Sequence, residues 1–477
     1  MPLFHMQLHP NEPGEAVNYA IAALQHNPPA IGLDFDAGPE FNQGLNMFGP
    51  QDFINAQDAH IQLHGNQGVM GNLQAFYNLQ CGDVGLIRGG ATPVALVRII
   101  GNYAFEPNPP PNDPHWFRHR FPVEVIGWYE QDLALYPQIA FVAPLPAQGT
   151  FQILNNPNTP TYQSVQHWLQ LKEAHMRFAA LESAITNFRN LILTGPPGTG
   201  KTLSAKLLTA YMLTGRVPEI NGVDTVLNPL RMPFIEGQPG AWDIVQFHPS
   251  YNYDDFVRGI RIRTNEQRQT EYTVKNGPLL RMAENAAAQP GQKFILIIDE
   301  INRANVAAVL GEMIYALEYR GGEERGVALQ YGDGDARAHL PKNLYIIGTM
   351  NTADRSIGHI DYAVRRRFAF DPLHPDRSVV EASHQDANLR DLALAKFDAV
   401  AALFTGEQAL LSADYRAEDV QPGHSYFLVK DEDAENGEDA IRRQMKYQVG
   451  PLLREYVADG VLKTDAIQRI RQIEGGA

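Results

Sequence analysis

Apolar positions fall into short runs over the first 150 residues and into longer strand-like and helix-like patterns after them. In the first part a helical stretch at Ala16–Gln25 is followed by residues 30–35, 83–88, 93–100 and 123–129, each of strand length and set between turn residues. A Gly-Gly pair at 89–90 joins two of these runs into a hairpin. Residues 70–79 read as helical, and the loop 102–114, with Pro107, Pro109, Pro110 and Pro111, is not a regular element. Residues 143–163 are rich in Pro, Asn and Thr and read as a linker or strap. From 166 to 185 the residues Trp168, Leu169, Leu171, Phe178, Leu181 and Ile185 follow a broadly helical pattern.

Three apolar runs come next. Leu191-Ile192-Leu193-Thr194, residues 294–298 and residues 344–350 are continuous rather than alternating, as in strands buried on both faces of a parallel sheet. Residues 216–243, with four prolines, read as an irregular insertion. Residues 304–319 read as one helix, and residues 271–278 and 327–340 as hairpin material. Beyond 371 the pattern is helical, at 389–404, 440–457 and 464–473. The expected organisation is a small mostly-β, barrel-like domain over 1–150, a linker over 151–165, an α/β nucleotide-binding subdomain over 166–370 with a parallel sheet flanked by helices, and an α-helical lid over 371–477.

The chemistry enters at Gly195-Pro196-Pro197-Gly198-Thr199-Gly200-Lys201-Thr202, which fits G-x-x-x-x-G-K-[ST] at every fixed position. A short apolar strand precedes it, and Leu203, Leu207, Leu208 and Tyr211 recur at helical spacing after it. Glycines let backbone N–H groups close around phosphate oxygens, and the helix N-terminus adds positive potential. Lys201 is then placed for the β- and γ-phosphates of a nucleotide, and Thr202 for Mg2+. The run 294–298 ends in Asp299 and Glu300, the first placed to hold the magnesium shell and the second to orient or deprotonate water. The run 344–350 ends in Asn351, placed to bridge water and γ-phosphate. Arg365-Arg366-Arg367 downstream offers an arginine that reaches the phosphates of a neighbouring subunit.

Composition narrows the partners. The 477 residues suffice for two to four domains, and the net charge of −15 argues against general coating of nucleic acid or anionic membrane. Cys81 is the one cysteine, which excludes an internal disulfide and a cysteine zinc cluster. The start of the chain lacks the pattern of a signal peptide and no stretch reaches membrane-spanning length, so a soluble cytoplasmic protein is expected. The first 150 residues carry no lysine, and their arginines are Arg88, Arg98, Arg118 and Arg120.

Walker-type loop, Asp-Glu pair, sensor asparagine and trailing arginines resemble an AAA+ motor. Four stretches sharpen the likeness: Val245-Gln246-Phe247-His248-Pro249-Ser250-Tyr251 with Asp254-Asp255-Phe256; Asp299-Glu300-Ile301-Asn302-Arg303-Ala304-Asn305; Met350-Asn351-Thr352-Ala353-Asp354-Arg355-Ser356; and Gly423-His424-Ser425-Tyr426-Phe427. Together, over about 165–460, they resemble the McrB family, GTP-driven motor subunits of modification-dependent restriction systems that act in defence against foreign DNA. The resemblance implies a homo-hexameric ring, a separate McrC-like nuclease that stimulates hydrolysis and cuts DNA, Asn351 as sensor, Asp354 and Arg355 near the nucleotide or the subunit interface, and Arg366 or Arg367 as finger. The hairpin near 271–278 would then lie beside the ring pore, and His424 would order the lid. GTP rests on resemblance alone, since no Asn-Lys-x-Asp element reads guanine, and ATP stays open.

The order of strands and arginines in the first 150 residues resembles the EVE/PUA-like domains, some of which read a modified or flipped base. Tyr103, Phe105, Trp116, Phe117 and Trp128 are the candidate rings for such a pocket in modified double-stranded DNA, with core packing as the alternative for each. A competing reading of the whole chain is an ATP-dependent, MoxR-like remodelling protein whose front domain binds protein. The signature at 350–356 and the front domain favour the restriction motor.

Overall fold

The computed structural model describes residues 2–8, 15–33, 75–106, 113–115, 117–141, 145, 151–264, 268–331, 336–354, 360–384, 386–429 and 436–475. The chain forms two compact units, Met1–Arg177 and Phe178–Ala477.

In the first unit β1 (Leu3–Gln7), β2 (Ala30–Leu33), β3 (Val84–Gly89), β4 (Thr92–Ile99), β5 (Ala104–Phe105), β6 (His119–Trp128) and β7 (Phe151–Leu154) form a seven-stranded sheet. Its order is β2-β6-β4-β3-β1-β7, with β5 also on β6. The strand β6 serves three neighbours, β2, β4 and β5. Its first four residues pair with β2 and the remainder with β4, and a register shift at Leu96/Val97 lets the sheet curl. Helix α1 (Ala16–Gln25) buries Ala16, Ala20, Ala23 and Leu24, one stripe at helical spacing. Phe4, Met6, Phe76, Phe121 and Phe151 join this core. After β6 comes α2 (Tyr129–Leu135), whose Asp132 is buried and accepts from Trp168 Nε1 at 2.9 Å and Lys172 Nζ at 2.7 Å.

Two expectations change here. Residues 151–154, expected in a linker, form β7 and pair antiparallel with β1, because Phe151 and Leu154 have apolar surface to bury. Trp168, expected to open the motor, is buried within the first unit, as its indole finds a buried carboxylate there. The helix α3 (Pro160–Phe188) runs through the division at Arg177. Of residues 70–79, only those from 75 onward lie among the described residues, and they include a short helical turn.

In the second unit β8 (Asn190–Gly195), β9 (Gly240–Gln246), β12 (Lys293–Asp299), β15 (Leu344–Asn351) and β16 (Ala369–Pro372) make a five-stranded sheet of order β16-β8-β15-β12-β9, with every pairing parallel. The continuous runs Leu191–Leu193, Phe294–Ile298 and Leu344–Ile347 are buried, as strands covered on both faces require. The helix α4 (Lys201–Thr214) leaves the glycine loop directly. A hairpin of β10 (Arg258–Thr264) and β11 (Thr270–Asn276) and a small pair β13 (Val327–Ala328) and β14 (Arg337–Ala338) stand apart from the sheet. The lid packs helices Ala387–Phe404, Gly437–Gln444, Gly450–Ala458 and Ala466–Ile473 around Phe397, Phe404, Phe427, Met445 and Leu453. No helix among the described residues is long and apolar enough to cross a membrane.

Three boundaries move. The expected insertion 216–243 ends in β9, an edge strand hydrogen-bonded to β12. The expected helix 304–319 breaks into Val306–Leu310 and Met313–Glu318, because Gly311 takes a left-handed φ of 53° between them. Residues 371–372, assigned to the lid, complete β16 beside Leu193 and Thr194.

Candidate active site

Parallel pairing puts the C-terminal ends of three strands together. Asn351 of β15 lies in register with Gly195 of β8, and Asp299 ends β12 one strand further on. Ligands bind at this edge in open α/β sheets. In the glycine loop Gly198 and Gly200 take φ of 81° and 76°, and α4 starts at Lys201 with its first amides facing the loop. Lys201 is only 8% exposed. Its ammonium donates to the Pro196 carbonyl at 2.8 Å and to Asn351 Oδ1 at 2.9 Å. Burial lowers its pKa to about 8, against the raising influence of Glu300 and Asp299.

The acids are wired in turn. Asp299 Oδ1 accepts from Thr202 Oγ1 at 2.7 Å and Thr349 Oγ1 at 2.6 Å. The Glu300 amide donates to Thr349 Oγ1 at 3.0 Å, and Asn351 Nδ2 donates to Glu300 Oε1 at 3.4 Å. Glu300 Oε2 is buried without a hydrogen bond and is ion-paired with Arg303 Nε at 3.3 Å. Glu300 itself holds a left-handed φ of 53°, a conformation that costs a non-glycine residue roughly 1 kcal/mol and recurs at functional sites. Thr202 and Asp299, a hydroxyl and a carboxylate already in contact, are the donor set that Mg2+ takes beside a nucleotide, so the residues fit the ion. When bound, Mg2+ supplies neutralisation of phosphate charge.

The lid contributes a segment that sequence reasoning left without a site role. The Gly423 amide donates to the Pro197 carbonyl at 2.8 Å and the Ser425 amide to the Gly198 carbonyl at 2.9 Å. A Cβ on Gly423 would stand 2.2 Å from the Gly198 carbonyl, so only glycine permits this approach. His424 Nε2 lies 3.7 Å from where a Cβ on Gly200 would be, and its Nδ1 accepts the Asp376 amide at 3.3 Å. His424, expected to order the lid, thus also flanks the phosphate loop. The signal was present in Gly-His-Ser-Tyr-Phe, but nothing local says which loop it meets. Thr349 was missed for a similar reason: a strand threonine looks like packing until its register with Asp299 is known.

The three arginines lie elsewhere. Asn190 Nδ2, at the start of β8, donates to the Arg367 carbonyl at 2.8 Å, which fixes the cluster at the N-terminal end of the sheet. Arg367 is 8% exposed in its side chain, pairs with Glu318 at 3.0 Å and donates to the Ala363 carbonyl. Arg366 is 66% exposed and only 3.7 Å from Glu318. Arg365 lies over the Phe370 ring at 4.8 Å. Arg366 and Arg367, equal as finger candidates in the sequence, differ because burial and carbonyl bonds hold Arg367 in the fold. Arg366 borders a cleft of about 360 Å³ lined also by Arg189, Arg320, Arg325 and Lys342. Asp354 is an electrostatic neighbour of Tyr456, whose hydroxyl burial pushes above its ordinary pKa. Arg355 lies outside the described residues.

Of the candidate rings of the first unit, Tyr103, Phe117 and Trp128 pack in or against its core. Phe117 is fully buried in the core, so its place as a pocket ring is corrected: it packs between His115 and the sheet rather than facing a ligand. Trp128 is partly buried against the same core. Tyr103 donates to or accepts from His119 Nδ1 at 2.7 Å and packs on Tyr77 and Phe121. Phe105 lies in β5, and Trp116 lies outside the described residues.

Residues 235–368 match the AAA domain family, dynein-related subfamily. The chain is 34% identical over 288 residues to the type IV methyl-directed restriction enzyme EcoKMcrB subunit of Escherichia coli (strain K12), covering 58% of this chain and 56% of that protein. It is 28% identical over 208 residues to the type II restriction enzyme BsuMI component YdiS of Bacillus subtilis (strain 168), covering 40% and 58%. The chain therefore spans just over half the length of these curated relatives.

Proposed function

We propose, from a chain that carries an AAA+ module and is a homologue of the McrB subunit, that this protein is the nucleotide-hydrolysing motor of a restriction system. Its substrate is GTP in this reading, with Mg2+ at Thr202 and Asp299. The first unit reads modified double-stranded DNA, and a separate McrC-like nuclease does the cutting in the cytoplasm. It is the relative that is methyl-directed, which supports the DNA reading here only through the 34% identity.

One observation carries the motor reading. The phosphate loop stands at the C-terminal end of β8, while the exposed Arg366 stands at its N-terminal end. A six-residue strand spans about 17 Å. Arg366 therefore serves the site of another copy, as a ring of identical subunits requires. At the site, Lys201 and the amides of the glycine loop bind the phosphates, Asn351 orients the reacting group, and Glu300 Oε2 accepts a proton from water. Arg366 of the neighbouring copy stabilises the charge that develops on the phosphate.

Mixing two inactive variants tests this. Arg366→Ala keeps its own loop and acids, and Glu300→Gln keeps its finger. Rings assembled from both contain interfaces with all parts intact, so the mixture regains GTP hydrolysis that neither variant has alone. No recovery on mixing refutes action between copies, and preferential hydrolysis of ATP under competition refutes the choice of GTP.

A further inference from the structure

Outside the nucleotide site, one group of side chains in the first unit has metal-binding chemistry. His26, Asp113 and His115 each offer one ligand atom, and these three atoms lie within 4.8 Å of one another. His26 caps the C-terminus of α1, and Asp113 and His115 lie just ahead of β6. The rings of His26 and His115 meet edge-on with centroids 4.7 Å apart.

The arrangement around His115 is what calls for a cation. His115 is 4% exposed, and its Nε2 lies 2.8 Å from the Ala23 carbonyl. A carbonyl only accepts, so Nε2 carries the proton. Its other ring nitrogen, Nδ1, lies 4.0 Å from Asp113 Oδ1. That separation is too long for a hydrogen bond, and a cation placed between the two atoms would bond to both. Asp113 is already aimed: its Oδ1 accepts the His115 amide at 2.8 Å. Arg120 is the nearby competing cation, but its Nη2 is 3.7 Å from Oδ2, on the other oxygen, and its guanidinium bonds the Phe117 and His115 carbonyls. A histidine whose second nitrogen donates to a backbone carbonyl is oriented as metal-bound histidines are.

We propose that His26, Asp113 and His115 bind one Zn2+ ion, or another borderline divalent transition metal, with a fourth position open to solvent. Two imidazoles and one carboxylate favour this class over Mg2+ or Ca2+, which take oxygen ligands. Tetrahedral zinc with bonds of about 2.0–2.1 Å holds its ligand atoms about 3.3 Å apart. The cluster must therefore contract, and His26, the exposed member, has room to move. The bound ion ties the end of α1 to the segment entering β6. This proposal is independent of the restriction reading.

The test uses the full chain, stripped with chelator and held in excess Mg2+ to block the site at Thr202 and Asp299. Zinc binding is followed by titration calorimetry, with metal counted by mass spectrometry after gel filtration. The wild type is expected to bind one Zn2+ per chain at this site and to melt higher with the ion. Co2+ in its place is expected to give the visible bands of a four-coordinate site. His26→Ala and Asp113→Asn are each expected to weaken binding at least tenfold and to abolish the zinc-dependent rise in melting temperature. Their melting in chelator should match wild type, since one residue is exposed and the other change is isosteric. Wild-type protein that takes up no Zn2+ at micromolar concentration overturns the proposal, as does unchanged affinity in either variant.

Discussion

The two units bury polar side chains in opposite ways. In the second, Lys201, Asp299, Thr349 and Asn351 converge on one sheet edge and bond to one another, yet Glu300 Oε2 and Asn302 Oδ1 remain buried without a hydrogen bond. In the first, two buried charged groups, Arg88 and Asp132, are far apart in sequence and each is met by its own set of partners. The Arg88 guanidinium, fully buried, donates to His5 Nδ1 at 3.1 Å, Gln7 Oε1 at 3.0 Å and the Gly90 carbonyl at 2.6 Å. Asp132 takes Trp168 and Lys172. Burial of polarity alone is thus no sign of chemistry. A network that leaves a carboxylate oxygen without a hydrogen bond, ion-paired only with the exposed Arg303, has capacity for a further partner, whereas a closed one holds shape.

The largest test of this contrast lies at the far end of the sheet. Arg366→Ala is expected to lower the turnover number by about 10³–10⁵ with nucleotide affinity kept, because a finger acts only on transition-state charge. Steady-state hydrolysis beside equilibrium titration separates the two. A loss below tenfold would make Arg366 a surface charge like many others. Next comes Glu300→Gln, which removes the proton-accepting capacity of the spare oxygen while keeping its shape. Turnover is expected to fall by about 10²–10⁴ with binding intact, read by single-turnover kinetics. Normal turnover would place that oxygen among the merely structural groups, and the contrast with the first unit would disappear.

Much of the second unit was legible because its chemistry is carried by contiguous residues. Gly195 to Thr202 are neighbours in sequence, and Asp299 and Asn351 each end an apolar run whose length announces a buried strand. What stayed hidden depends on pairing between distant segments. The strand β9 has a weak local pattern, Gly-Ala-Trp-Asp-Ile-Val-Gln, and exists because β12 offers an open edge. The strand β7 is four residues in a polar, proline-rich stretch, and only β1 reveals it. The approach of Gly423 to Pro197 joins segments more than two hundred residues apart. In the first unit Phe117 misled for a physical reason: it follows a proline-rich loop, where ligands often bind, but a phenyl ring there also finds the core first.

A smaller effect tests the closed networks. Asp132→Ala leaves the Trp168 indole and the Lys172 ammonium without their shared acceptor. Unfolding stability is expected to drop by ~1.5–3 kcal/mol, while hydrolysis per folded chain is unchanged. Denaturant titration with rate measurement on the same samples checks both. A change in rate would mean that the acid does more than hold the first unit together.

The smallest effect is a proton. The Lys201 ammonium has its pKa lowered to about 8 from 10.5, chiefly by burial. Below about 8 the folded chain keeps the charge; between that value and 10.5 the unfolded chain holds more protons, so stability of the nucleotide-free protein should rise with pH across this window. Nucleotide binding runs the other way. Phosphate oxygens beside the ammonium favour its charged form, so affinity should be flat below about 8 and then fall by up to about tenfold per pH unit as binding must restore the proton. Titrations at pH 7.5, 8.5 and 9.5 in buffers of different ionisation heat would show proton uptake only at the higher values. If affinity stays level across that range, Lys201 is satisfied by Pro196 and Asn351 alone, and the network at the sheet edge is as closed as those of the first unit.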